Sequence, residues 1–246
     1  MKRLISLLCV TALLLTLTAC GDSGSTQTDD QPAQSASKVL PTVLDQNEYV
    51  LYQNIFYNDM ADEYIGKTFV KKGTFTRLTD AFNGRTRYYV WGYNDATKCC
   101  DWQWEFVPAD PDSLPPNGSL VKMAGTVTRD EAALDKIWFT DVTLEVVEAW
   151  ENTGYDVDMS TMDATLEQVQ LWNMQYKPEA FKGKTLRIYG RIQTPTTIQH
   201  PYYDNAWTQP FITQAEVPAI GTMVLLTGTW QGDTIQAGRV ERTTDY

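Results

Sequence analysis

Tyr64-Ile65-Gly66-Lys67-Thr68-Phe69-Val70-Lys71-Lys72-Gly73-Thr74-Phe75 lines up without a gap on Phe181-Lys182-Gly183-Lys184-Thr185-Leu186-Arg187-Ile188-Tyr189-Gly190-Arg191-Ile192. Further along, Gly118-Ser119-Leu120-Val121-Lys122-Met123-Ala124-Gly125-Thr126-Val127 matches Gly221-Thr222-Met223-Val224-Leu225-Leu226-Thr227-Gly228-Thr229-Trp230. Upstream, Asn54-Ile55-Phe56-Tyr57 answers Asn173-Met174-Gln175-Tyr176. Blocks repeated in one order point to a duplicated domain, and a repeat constrains the fold before any single element does.

Each unit opens with a stretch whose apolar residues recur at three and four positions, Glu48 to Met60 and then Leu166 to Tyr176, the spacing of a short amphipathic helix. Pro178 ends or kinks the second, and the Gly-Lys-Thr after each reads as a turn into a strand. Strands are expected over Thr68 to Leu78, Thr86 to Tyr93, Trp102 to Val107, Leu120 to Thr128 and Lys136 to Val147, where apolar and polar residues alternate. Gly73 and Gly125, in mid-strand, suggest bends or bulges.

Five short strands in about 85 residues argue for a small Greek-key barrel of the OB type. The second unit keeps the first and fourth strands clearly and is vaguer between Pro195 and Pro218. The expected fold is all-β with short helices: two tandem OB-like Greek-key barrels, residues 40–149 and 164–246, each preceded by a short α-helix. The acidic stretch 150–163 reads as the linker between them.

The N-terminus reads Met1-Lys2-Arg3, an apolar run from Leu4 to Leu17, then Thr18-Ala19-Cys20. A span takes about 20 apolar residues, so the run is a secretory signal rather than a membrane helix. A small residue before cysteine suits a lipoprotein signal peptidase, which makes residues 1–19 the signal and Cys20 the lipidated first residue. Residues 20–39 hold almost no large apolar side chain and are expected to be a disordered tether. Loss of residues 1–19 removes Lys2 and Arg3, leaving 18 basic against 31 acidic side chains and a formal charge of −13. Such a surface opposes nucleic acid, so the expected attachment is to the extracytoplasmic face of the cell membrane through the lipid.

Cys99 and Cys100 are the thiols that remain once Cys9 goes with the signal and Cys20 is lipidated. Outside the cytoplasm they can close a vicinal disulfide. They can instead offer two thiolates to zinc or copper(I), with Asp95, Asp101, Glu105 or His200 as supporting ligands. A reactive redox pair tuned by Lys98 is the third reading. His200, the only histidine, sits in a loop-like stretch and reads more readily as a surface residue. Tyr89, Trp91, Tyr93, Trp102 and Trp104 alternate along two strands and offer either an aromatic binding face or core and inter-barrel packing. No catalytic constellation is recognisable, and a phosphate loop, a His-Glu-x-x-His helix and a nucleophile elbow are all missing from the sequence.

Tyr64-Ile65-Gly66-Lys67-Thr68, Asp95-Ala96-Thr97, Cys99-Cys100 and Glu105-Phe106 together resemble a family of bacterial lipoproteins of unassigned role with OB-like domains. The likeness covers roughly residues 50 to 147. The cysteine pair and barrel are more loosely similar to the extracytoplasmic part of a two-subunit permease family associated with zinc limitation. Trp104 stands where the lipoprotein family has glycine, so a tight turn or close ligand approach there does not carry over, and the second unit has no cysteine. The expected function is that of a membrane-anchored, non-catalytic binding or accessory module, serving a transporter or envelope complex, with no cofactor expected. Zinc or copper handling and thiol redox exchange are the alternatives.

Overall fold

Strand formation follows the two-residue alternation of the sequence. In a computed structural model describing residues 41–44, 61–93, 101–129, 137–151, 154–202 and 206–244, the first unit contains β1 (Thr42–Val43), β2 (Thr68–Thr79), β3 (Thr86–Tyr93), β4 (Asp101–Phe106), β5 (Leu120–Arg129) and β6 (Ile137–Glu148). Every end of β2 to β6 falls within one residue of the sequence expectation. The second unit contains β7 (Val157–Asp158), α1 (Ala164–Tyr176), α2 (Pro178–Phe181), β8 (Thr185–Thr194), β9 (Thr197–Gln199), β10 (Thr208–Thr213), β11 (Met223–Trp230) and β12 (Ile235–Arg242). The molecule is mostly β with few, short helices; the helix expected over Glu48 to Met60 lies outside the described residues.

In the second sheet β8 pairs with β9, β9 with β10, β10 with β12 in parallel, β12 with β11, and β11 back to β8, which closes a five-stranded barrel. The first sheet repeats this order as β2-β3-β4-β6-β5-β2, its parallel join resting on the single pair Phe106↔Phe139. Closure leaves each barrel one interior to fill. Phe69, Phe75, Trp102, Trp104, Phe106 and Met123 fill the first, and Leu186, Ile188, Phe211, Leu226 and Trp230 the second.

The repeat recurs bond for bond. Gly66 N–H donates to Val127 O and Val127 N–H to Lys67 O, while Gly183 donates to Trp230 and Trp230 to Lys184. Phe75 donates to Ser119 and Gly118 to Phe75; Ile192 donates to Thr222 and Gly221 to Ile192. The turn glycines Gly66 and Gly183 share φ of 80° and 81°, a region closed to most side chains. Gly125 sits at a register shift between β5 and β6, as Gly228 does between β11 and β12, so the expected bulge is present there. Gly73 serves a different need: a Cβ on it would lie 2.6 Å from Trp91 O.

Residues 154–163 do more than connect. β7 pairs in parallel with β8 at Val157↔Leu186, as β1 pairs with β2 at Thr42↔Phe69, so this segment opens the second unit. Val157, Met159 and Met162 enter the core, while Asp156 binds Thr185 and Asp158 binds Arg187. Its few apolar residues, spaced by charges, read as linker because each acidic partner lies far along the chain.

Candidate functional site

Alternation along β4 divides its chemistry. Trp102, Trp104 and Phe106 turn into the first barrel, so Asp101, Gln103 and Glu105 face outward. Asp101 Oδ2 accepts from the Thr165 N–H at 3.3 Å and the Thr165 hydroxyl at 3.2 Å, at the start of α1. Gln103 Nε2 donates to Asp163 Oδ2 at 2.8 Å, and Asp163 caps the helix by accepting from Leu166 N–H at 2.8 Å. One strand of the first unit is thus tied to the helix of the second through their polar groups.

Asp163 is fully buried. Burial, joined by the nearby Asp101 charge, pushes its carboxyl up to about 8, against the stabilising bonds from Leu166 and Gln103. His200 is also fully buried, which corrects its reading as a surface residue. Strand pairing explains this: His200 N–H donates to Trp207 O, and the imidazole lies edge-on to the indole at 5.8 Å. Its Nδ1 accepts from Tyr202 N–H at 3.1 Å. Burial pushes its pKa down to about 4; Asp101 pulls it up and Arg191 lowers it further.

Asp101 and His200, two of the four expected supporting ligands, therefore share one electrostatic neighbourhood. Glu105 does not join them; it faces Arg87 at 3.9 Å. Asp95, Cys99, Cys100 and the lipidation residue Cys20 lie outside the described residues. Among the described residues no group of three His, Cys, Asp or Glu side chains could hold a metal.

The aromatic face expected on β3 and β4 is turned inward. Trp91, Trp102 and Trp104 are buried, and Tyr89 and Tyr93 are half-buried against the second core, which Trp91 also joins. Indoles this large are worth more in a small core than on its surface.

Sequence reasoning missed Lys71. Its side chain is buried inside the first barrel, with Nζ 3.1 Å from the Trp102 ring centroid and 3.6 Å from that of Trp104. Burial pushes its amine well below the usual lysine range, while the two ring faces favour the cation. The signal was parity: Lys71 shares its inward phase with Phe69, Gly73 and Phe75.

No family model and no curated protein matches this chain.

Proposed function

We propose that this chain is a lipoprotein anchored through Cys20 on the outer face of the cell membrane. In this reading two tandem OB-like barrels form a non-catalytic binding or accessory module for a transporter or envelope complex. The strand order β2-β3-β4-β6-β5-β2, repeated in the second sheet, supports the tandem OB-like fold, since an OB barrel joins its third and fifth strands in parallel. The functional reading is carried by one observation: Asp101, the residue after Cys100, is held by Thr165 where the first unit meets the helix of the second. The cysteine pair precedes Asp101 directly in the sequence. A partner sensed there would act on both units together.

A second reading, a zinc or copper accessory protein, is favoured by the influence of the Asp101 charge on His200, Asp101 being next in sequence to Cys100. Because Nδ1 of His200 accepts from Tyr202, such a metal would be met by Nε2. Bound there, it would be held by two thiolates, one carboxylate and one imidazole, a donor set suited to zinc.

The anchor is tested by fractionating expressing cells and weighing the intact chain. Recovery in the membrane fraction with residues 1–19 lost and a diacylglyceryl mass on Cys20 is expected. Cys20→Ala should then release the chain from the membrane or leave its signal uncleaved. A full-length chain without lipid contradicts the anchor.

A further inference from the structure

β6 runs from Ile137 to Glu148 and is held on only one side over most of its length. β5 pairs along the whole of it, whereas β4 reaches it only at Phe106↔Phe139, followed by the 2.9 Å bond from Val107 N–H to Phe139 O. From Asp141 to Glu148 the other edge takes no hydrogen bond from the described residues. A bulge opposite Gly125, where Asp141 adopts φ of 50°, bends the strand just past that last bond. Unpaired N–H and C=O groups along such an edge are a template for another extended chain.

A groove of about 180 Å³ adjoins this edge. Val142, Leu144 and Val146, alternate residues of β6, line it together with Pro108, Asp110 and Leu114 from the segment after β4. Val146 and Val147 are each 47% exposed. The charges choose the occupant. Among the described residues the groove's lining holds no basic side chain, while Asp110, Asp112, Asp141, Glu145 and Glu148 are all exposed on the segment and strand that border it. Lys122, on β5, already faces Glu145 at 3.9 Å. Like charges set the edge against a second β6, and against the chain's own tether with Asp22, Asp29 and Asp30. The matching strand β12 differs: it pairs with β10 at Ile235, Gln236 and Ala237 and carries Arg239 and Arg242.

We infer that the β6 edge from Asp141 to Glu148 binds an extended basic segment of another protein as an added strand. Apolar side chains of that segment pack on Val142, Leu144 and Val146, and its Lys or Arg side chains lie beside the bordering carboxylates. The inference rests on the binding-module reading, to which it gives a partner chemistry, and it uses no residue of the Asp101–Thr165 seam. Anchor and cysteine pair are read by mass and this edge by peptide binding, so either can fail alone.

Fluorescence anisotropy of the full chain in detergent tests it, the probe being a labelled peptide of about eight alternating lysine and valine residues. A Kd of about 10–100 μM is expected, with slowed hydrogen exchange in residues 141–148 when the peptide is bound. Glu145→Lys and Val146→Lys should each weaken binding by about tenfold, whereas Glu241→Lys on β12 should leave it within about twofold. The same peptide N-methylated at every amide keeps its charge but loses its ladder donors, and should bind at least about tenfold more weakly. The methylated peptide and the exchange footprint need no variant to fold. Four outcomes would overturn the inference: no binding at about 1 mM peptide, equal binding of the methylated peptide, protection that falls outside residues 141–148, or sedimentation showing a dimer that Val146→Lys dissociates, which would make a second copy the occupant.

Discussion

The two barrels share backbone bonds but not interior chemistry. Counted along the β3–β4 and β9–β10 ladders, Trp104 stands where the second barrel has Gln209, and Gly92 where it has His200. Lys71 stands where it has Ile188. The first barrel holds a lysine amine between two indoles; the second keeps an aliphatic side chain and places an amide and an imidazole nearby. The two units share what the backbone demands, turns at positive φ and bulges at matching positions. Side chains that meet only in three dimensions differ between them.

Transplanting one barrel's interior into the other should break the fold most. Ile188→Lys puts an ammonium where the second indole is missing and should cost more than about 4 kcal/mol in urea unfolding. Adding Gln209→Trp should return part of that loss, while a cost below about 1 kcal/mol would mean the interiors are interchangeable.

The glycines sharpen the comparison at the next level. A Cβ at Gly73 would meet Trp91 O at 2.6 Å, whereas at the equivalent Gly190 the nearest atom, Gln199 O, is 3.1 Å away. Gly73→Ala is expected to destabilise by about 1–3 kcal/mol and Gly190→Ala by less than about 1. Equal costs would show that the first barrel is no tighter than the second.

The seam gives the smallest effect and the most specific one. Asp163 titrates near 8 in the folded chain against 3.8 ordinarily, so the native state binds the extra proton and loses stability as pH rises between them. His200, near 4 against 6.5, does the reverse, since the unfolded state takes the proton there, and stability rises with pH over that window. The two oppose one another from about 4 to 6.5, and Asp163 acts alone from about 6.5 to 8. Thermal melts should fall over that upper window by about 1–2 kcal/mol. Asp163→Asn, which keeps the cap, should flatten the slope; an unchanged slope would place its origin elsewhere.

Much of the scaffold was legible because it is local. Gly66-Lys67-Thr68 and Gly183-Lys184-Thr185 announce a turn and a strand start without reference to distant residues, and the five strands of the first unit follow from alternation alone. Lys71 was legible in principle, since it keeps the inward parity, but its partners are set by closure of the barrel. His200 was not: its loop-like surroundings hide a ladder bond to Trp207 that only the folded second unit supplies. The stretch 150–163 reads as linker for the same reason, because Asp156 and Asp158 within it find their partners 29 residues away.

The accessory reading stands or falls on the cysteine pair beside Asp101. Intact mass of the full chain, native and denatured, with and without thiol alkylation, measures it directly. An accessory module with a structural turn predicts a chain lighter by two hydrogens, no alkylation at Cys99 or Cys100 and no bound ion. A metal-sized adduct lost on denaturation, with both thiols then alkylated, would contradict that account and establish the metal reading in its place.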